Sequence, residues 1–196
     1  MAQARPFKIA VEEAVLLRIR ERVAAYRWPP EVAGSGWAYG MDGPTLRDLQ
    51  AYWLETYDWR AAEDHLNQYS HFTAQVGGLD IHFVHVIGEA QGKRPLVLTH
   101  GWPGSVFEFW EAIPKLAFPG QHGGDAADAF DLIIPSLPGY GWSGKPEAPL
   151  GQRATAALWD TLMCDVLGYD TYLAQGGDWG AMVTSYLGLN HGIHDG

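Results

Sequence analysis

The spacing of apolar residues changes once along the chain, near residue 70. Before that point, apolar side chains recur at steps of three and four, which is typical of helices with one buried face. This spacing predicts a helix over residues 11–26, a second helix opened by Pro44, and a short third helix over residues 60–68. We therefore predict a helical N-terminal domain that comprises residues 1–70.

After residue 70 the pattern becomes strand-like. Residues 71–76 and 79–87 are joined by two glycines, which is typical of a hairpin turn. Residues 95–99 and 130–135 are continuous apolar runs, as expected for strands that are buried on both faces. An antiparallel start, followed by strands that alternate with helices, predicts an α/β fold with a mostly parallel sheet over residues 71–196.

The composition narrows the class of partner. A net charge of −10 argues against binding to nucleic acid or to an anionic membrane. The single cysteine, Cys164, excludes an internal disulfide and is expected to be a buried core thiol. The sequence shows neither a signal-peptide core near its start nor an apolar run of about 18 residues. We therefore expect a cytoplasmic protein with no membrane span.

The strongest candidate for chemistry is the Gly-Gly-Asp-Trp-Gly sequence at residues 176–180, between a strand-like and a helix-like run. A reactive residue flanked by small residues between a strand and a helix is typical of a nucleophile elbow. Gly176 and Gly180 would allow the tight turn, and Asp178 would act as a carboxylate nucleophile that forms an ester. The structural alternative is that Asp178 only caps the following helix.

A second candidate segment follows the strand at residues 95–99 and reads His-Gly-Trp-Pro-Gly-Ser. In elbow enzymes one oxyanion-hole N–H comes from the residue after the nucleophile, here Trp179, and another comes from a loop after an earlier strand. Trp102 is the candidate for this second donor. The structural alternative is a tight turn into a helix that Ser105 and Glu108 cap as a capping box.

These two segments and the Pro-Ser-Leu-Pro-Gly-Tyr-Gly-Trp-Ser sequence at residues 135–143 together resemble the epoxide hydrolases of the α/β-hydrolase superfamily. The nearest resemblance is to the microsomal and juvenile-hormone type. The leading segment, roughly residues 5–69, resembles the N-terminal domain that precedes the hydrolase core in that branch. The resemblance covers nearly the whole chain.

The resemblance implies hydrolysis of a small apolar epoxide to a vicinal diol, with no metal and no organic cofactor. It implies that Asp178 is the nucleophile and that the backbone N–H groups of Trp102 and Trp179 form the oxyanion hole, while their indoles contribute to the pocket wall. It assigns structural roles to the remaining motif positions: His100, Gly101, Pro103, Gly104, Gly176 and Gly180.

The resemblance also implies that family members continue well beyond the point that corresponds to Gly196. The expected continuation carries cap tyrosines, an acid and the histidine that activates water, so we expect this chain to be C-terminally truncated and to lack the groups for full turnover. His191, His194 and Asp195 are not expected to replace them, because the helix leaving the elbow carries them about 15–20 Å away. The strand at residues 172–175 is expected to form an exposed edge that favours self-association.

Two further functions stay open at this stage. A haloalkane dehalogenase also uses an elbow aspartate followed by tryptophan, and release of halide from a chloroalkane would identify it. A non-catalytic remnant or interaction module would be inert towards epoxides, and turnover of an epoxide by this polypeptide would exclude it.

Overall fold

The computed structural model describes residues 3–90 and 94–191, and a single mixed sheet of six strands runs through them. The strands are β1 (Arg5–Phe7), β2 (His71–Val76), β3 (Leu79–Val86), β4 (Pro95–Thr99), β5 (Asp131–Pro135) and β6 (Leu173–Gly176). Their order across the sheet is β1-β2-β3-β5-β4-β6. The pairs β1–β2, β2–β3 and β3–β5 are antiparallel, whereas β4 pairs in parallel with β5 and β6. The predicted α/β class with an antiparallel start is confirmed. The described strands form a mixed sheet with two parallel and three antiparallel pairs, so the expectation of a mostly parallel sheet does not hold for them.

Six α-helices accompany the sheet in the described residues. They are α1 (Glu13–Ala24), α2 (Gly43–Glu55), α3 (Trp59–Leu66), α4 (Ile113–Ala117), α5 (Gln152–Thr161) and α6 (Trp179–His191). The three predicted N-terminal helices are confirmed with small shifts at their ends. Pro44 lies in the first turn of α2, and the Asp42 carboxylate caps this helix by accepting a 3.1 Å hydrogen bond from the Thr45 N–H.

The chain forms two compact units. One unit is Ile9–Leu66, and the other combines residues 3–8 with the described residues from 67 onward. The short β1 therefore belongs to the sheet, where Arg5 pairs its backbone with Thr73 and its side chain with Asp80 at 2.9 Å. A strand of three residues is too short to show alternation, which is why the apolar pattern did not predict it. The predicted domain boundary at residue 70 stays a prediction.

The segment after Ser105 differs from its prediction. A single helix was expected, but the structure has a 3₁₀-helix at Val106–Phe109 and then the separate helix α4. Pro114 occupies the first turn of α4, where proline is tolerated. The Ser105 hydroxyl caps the 3₁₀-helix by accepting from the Phe107 N–H at 3.2 Å, so its partner is not the Glu108 N–H that a capping box requires.

The core lies where α5 and α6 meet the middle of the sheet. All five residues of β4 and all five of β5 are buried, as the continuous apolar runs predicted. Trp159 of α5 is fully buried, and its indole N–H donates to the Thr99 hydroxyl at 3.1 Å. This bond fixes the carboxyl end of β4, from which the His-Gly-Trp-Pro segment departs. Among the described residues, no helix combines the length and the apolar character that crossing a membrane requires.

Candidate active site

Asp178 lies at the turn between the end of β6 at Gly176 and the start of α6 at Trp179. Its φ is 51°, in the left-handed region that non-glycine residues rarely adopt. Backbone strain of this kind is typical of the nucleophile elbow, because the sharp turn lifts the side chain clear of the sheet. The Asp178 side chain is accordingly exposed.

Two glycines of the turn occupy space that no side chain could share. A Cβ at Gly176 would lie 2.5 Å from the backbone carbon of Gly180. A Cβ at Gly180 would overlap the Thr99 carbonyl oxygen and lie 2.7 Å from its carbon. By contrast, a Cβ at Gly177 would have no atom within 4 Å. The turn therefore requires glycine at 176 and 180 but not at 177.

The Asp178 carboxylate is held by two backbone donors. The Trp102 N–H donates to Asp178 Oδ1 at 2.9 Å. The pKa of Asp178 lies below the ordinary aspartate value. The main cause is this bond from Trp102, and the second cause is a hydrogen bond from the Trp179 N–H. The N–H groups of the two tryptophans thus converge on one carboxylate, which stays ionised and exposed. A pair of donors at this place can stabilise an oxyanion if the carboxylate becomes an ester.

His100 links the loop after β4 to the loop after β5, next to Asp178. Its buried ring accepts from the Leu137 N–H through Nε2 at 3.1 Å and donates through Nδ1 to the Gly101 carbonyl at 2.9 Å. Burial lowers the pKa of His100, so the ring is neutral and both of its nitrogens are engaged. The arrangement suits a structural residue better than a general base. Gly101 is also confined, since a Cβ there would lie 2.5 Å from Asp178 Cβ and Oδ1.

The other features of the motif concern the shape and the exposure of the loop after β4. The peptide bond between Trp102 and Pro103 is cis. Trp102 is 65% exposed and Trp179 is 48% exposed, so about half or more of the surface of each residue is in contact with solvent. A Cβ at Gly104 would overlap the Glu108 carboxylate, which is the end of a flexible and exposed side chain that could move aside.

The apolar pattern did not predict a buried polar cluster that fixes the loop after β5. His82 Nδ1 lies 2.9 Å from the Ser136 hydroxyl, and His82 Nε2 lies 2.9 Å from Nδ1 of His71. The Ser143 hydroxyl donates to the Ser136 carbonyl at 2.7 Å and accepts from the His82 N–H at 3.0 Å. Burial and the neighbouring His71 lower the pKa of His82 to about 3. His82 is therefore a structural residue, fully buried and bonded on both ring nitrogens.

Sequence reasoning also missed a second cluster, around Asp160 of α5. The Tyr172 hydroxyl donates to Asp160 Oδ1 at 2.7 Å, and His191 Nδ1 lies 3.1 Å from Asp160 Oδ2. His191 is thus engaged with α5, whereas His194 and Asp195 lie outside the described residues. Cys164 is half-buried beside the same carboxylate, 3.8 Å from Oδ1, and is not the fully buried core thiol that was expected. In residues 3–90 and 94–191, no three His, Cys, Asp or Glu side chains are grouped to hold a metal ion.

A mixed sheet with an aspartate on a glycine-flanked turn between strand and helix places the molecule in the α/β-hydrolase fold class. The family model described as alpha/beta hydrolase fold matches residues 94–194. The model described as epoxide hydrolase N terminus matches residues 4–109, more than half of the chain. The chain therefore belongs to the epoxide hydrolase family.

The relatives agree with this assignment. A Stigmatella aurantiaca protein named as a candidate epoxide hydrolase is 46% identical over 183 residues, which cover 93% of this chain and 41% of that protein. Juvenile hormone epoxide hydrolase 2 of Ctenocephalides felis is 39% identical over 93% of this chain and 39% of its own length. The crystal structure of juvenile hormone epoxide hydrolase from Bombyx mori superposes with a TM-score of 0.84 at 38% identity, covering 95% of this chain and 44% of that chain. The chain thus spans about two fifths of the length of the relatives it matches.

Proposed function

We propose that this chain acts on epoxides by forming an ester between Asp178 and a carbon of the epoxide ring. The observation that carries the proposal is the convergence of the Trp102 and Trp179 N–H groups on the Asp178 carboxylate. A carboxylate that is exposed, ionised and fixed by two donors has the properties of a nucleophile. The names of the relatives, which are epoxide hydrolases, support the substrate class.

In the first step, a carboxylate oxygen of Asp178 attacks a ring carbon. The bond between that carbon and the epoxide oxygen breaks, and the oxygen keeps the electron pair and takes a proton from water. In the second step, water attacks the ester carbonyl, and the N–H groups of Trp102 and Trp179 stabilise the negative oxygen that forms. Collapse of this intermediate releases the diol and restores the carboxylate. No histidine among the described residues hydrogen-bonds to Asp178.

The test detects the ester itself and so does not depend on its hydrolysis. The purified chain is incubated with styrene oxide, and its intact mass is measured beside Asp178→Asn, which keeps the shape of the side chain but removes the nucleophile. Asp170→Asn is the matched control, because Asp170 is an exposed aspartate close to β6. We expect the mass of one styrene oxide to be added to the wild type and to Asp170→Asn, and none to Asp178→Asn.

The same experiment can contradict the proposal in two ways. An adduct of equal yield on Asp178→Asn would mean that another side chain reacts. The absence of both an adduct and a diol product, on a chain with a cooperative unfolding transition, would mean that the carboxylate is not reactive. Incubation with a chloroalkane and measurement of released halide would separate a dehalogenase from an epoxide hydrolase.

We also propose that β6 mediates pairing between two copies of the chain. Among the described residues, β6 pairs with β4 on one side and with no strand on the other. Leu173 of this edge strand is 55% exposed, and an open apolar edge is a template for another strand. Sedimentation velocity should show a dimer for the wild type and a shift towards monomer for Leu173→Lys. Leu17→Lys, at an equally exposed leucine of α1, should leave the dimer unchanged.

A further inference from the structure

A cavity of about 150 Å³ lies beside the elbow, between the loop after β5 and the first turns of α5 and α6. Its walls are mainly apolar and are formed by Leu137, Pro138, Tyr140, Leu150, Trp179 and Val183. Leu137 and Val183 are buried and form the inner part, whereas Leu150, which is 37% exposed, lies at the mouth. The cavity is therefore a preformed apolar recess that opens to the surface.

The cavity is continuous with the candidate active site through shared residues. Trp179 contributes to its wall, and the N–H of the same residue bonds to the Asp178 carboxylate. Leu137 also lines the cavity, and its N–H is bonded to His100 Nε2, while His100 Nδ1 donates to the Gly101 carbonyl. The segments that position the nucleophile thus also define the recess.

The size and the chemistry of the recess select an apolar group. A cavity of about 150 Å³ with apolar walls can hold a molecule such as benzene. Two polar residues, Gln152 and Thr155, also line the recess. The Thr155 hydroxyl donates to the Gly151 carbonyl at 3.2 Å, so that it is already satisfied. A single phenyl ring or a short alkyl chain would therefore gain more from burial here than a polar group would.

We propose that this cavity binds the apolar substituent of the epoxide while Asp178 attacks the ring. The inference rests on the proposed function and deepens it, because it names the substrate class: epoxides that carry one phenyl ring or a short alkyl chain. It makes Leu150 a specificity-determining residue, since its side chain sets the width of the mouth. An epoxide with only a methyl group leaves the recess largely empty.

The test compares two epoxides that differ only in the group the cavity would bind. Rates of adduct formation are measured by intact mass with propylene oxide and with styrene oxide. Leu150→Trp narrows the mouth, and we expect it to slow alkylation by styrene oxide roughly tenfold or more while changing the rate with propylene oxide less than about twofold. Leu189→Trp is the matched control, because Leu189 is an exposed leucine of α6 outside the cavity.

A second variant separates a blocked cavity from a damaged fold. Leu150→Ala removes part of the apolar wall but leaves the mouth open, so it should slow alkylation by styrene oxide clearly less than Leu150→Trp does. If Leu150→Trp slows both epoxides equally, or slows neither, the cavity does not bind the substituent and the inference is wrong. An equal loss of the styrene oxide rate in both Leu150 variants would likewise overturn it.

Failure of the proposed function gives a different result. If neither epoxide gives an adduct or a diol with the wild type, the ester mechanism is wrong, and the cavity is then tested by binding alone. Styrene glycol is used as the probe in saturation-transfer NMR. A phenyl signal that is lost in Leu150→Trp and kept in Leu189→Trp would support the cavity as an apolar binding site, whereas an equal signal in both would overturn it.

Discussion

Two neighbouring strands, β4 and β6, both end at the candidate active site, but they lie in different surroundings. Every residue of β4 is buried and the strand is paired on both sides, whereas β6 alternates between exposed and half-buried positions and is paired with β4 alone in the described residues. Their ends are nevertheless aligned, with Thr99 opposite Gly176 in the parallel register. The Trp102 N–H follows β4, Asp178 follows β6, and the two are bonded.

The difference shows that the site depends on close backbone contact more than on burial. Gly180 lies against the Thr99 carbonyl, and Gly101 lies against the Asp178 side chain. These two contacts hold the ends of β4 and β6 together, although β6 itself buries little of its surface in the core. A substitution that separates the strand ends should therefore have a larger effect than one that removes apolar area from β6.

The largest expected effect comes from Gly180→Ala. The new Cβ would overlap the Thr99 carbonyl, which is backbone and cannot move without shifting β4. We expect the free energy of unfolding to fall by about 3 kcal/mol or more, measured by urea denaturation, and the styrene oxide adduct to be lost. Gly177→Ala adds the same methyl group in open space and should change stability by less than about 0.5 kcal/mol. Equal effects at 177 and 180 would contradict the importance of this contact.

The next prediction compares leucines in the two strands. Leu98 of β4 is 2% exposed, whereas Leu173 of β6 is 55% exposed. Leu98→Ala should lower the free energy of unfolding by about 2–5 kcal/mol, because it leaves a cavity in the core. Leu173→Ala should cost less than about 1 kcal/mol, because its side chain is half in solvent. Denaturation is measured below the protein concentration at which the wild type dimerises, and similar losses in both variants would contradict the exposure of Leu173 in the single chain.

Much of this architecture could be predicted from sequence because its signals are local. The apolar runs of β4 and β5 indicated strands buried on both faces, and both strands were found within one residue of their predicted ends. The glycines at 176 and 180 indicated a turn with two tight contacts, and the structure contains these contacts. Periodicity and turn chemistry depend on neighbouring residues, so a single sequence carries them.

Features that depend on residues distant in sequence could not be predicted in the same way. The bond from His82 to Ser136 joins positions 54 residues apart, and the bond from Tyr172 to Asp160 requires β6 to lie beside α5. The replacement of one predicted helix after Ser105 by a 3₁₀-helix and α4 depends on packing around Trp110 and Ile113, which are both buried. Propensity alone does not decide such a case, because tertiary contacts override it.

Acid should destabilise the folded chain because His82 is buried and its pKa is lowered. The pKa of this histidine is lowered to about 3 in the folded chain, so below the ordinary value of about 6.5 the unfolded chain binds a proton that the folded chain does not. The free energy of unfolding should therefore decrease as pH falls from about 6.5 towards 3, by about 1 kcal/mol between pH 6 and pH 5. Urea denaturation at several pH values measures this slope.

The variant His82→Gln keeps a polar side chain but does not titrate, so its slope in this pH range should be flatter than that of the wild type. The variant itself should be less stable at neutral pH, because the hydrogen bonds to Ser136 and His71 change. His122→Gln, at an exposed histidine, should keep the wild-type slope. An unchanged slope in His82→Gln would assign the acid sensitivity to other groups, of which His71 is the nearest in contact.

The smallest expected effect comes from Gly188→Ala, a second glycine-to-alanine substitution in α6, where the added methyl group contacts no other atom. A Cβ at Gly188 would have no atom within 4 Å, and the residue lies in the last turns of the helix and is exposed. Alanine restricts the unfolded chain and favours the helix, so Gly188→Ala should raise the free energy of unfolding by about 0.5–1 kcal/mol. The same change thus has opposite signs at the two positions of one helix, since only Gly180 approaches the end of β4. A loss of stability in Gly188→Ala would show that the outer face of α6 is covered in solution.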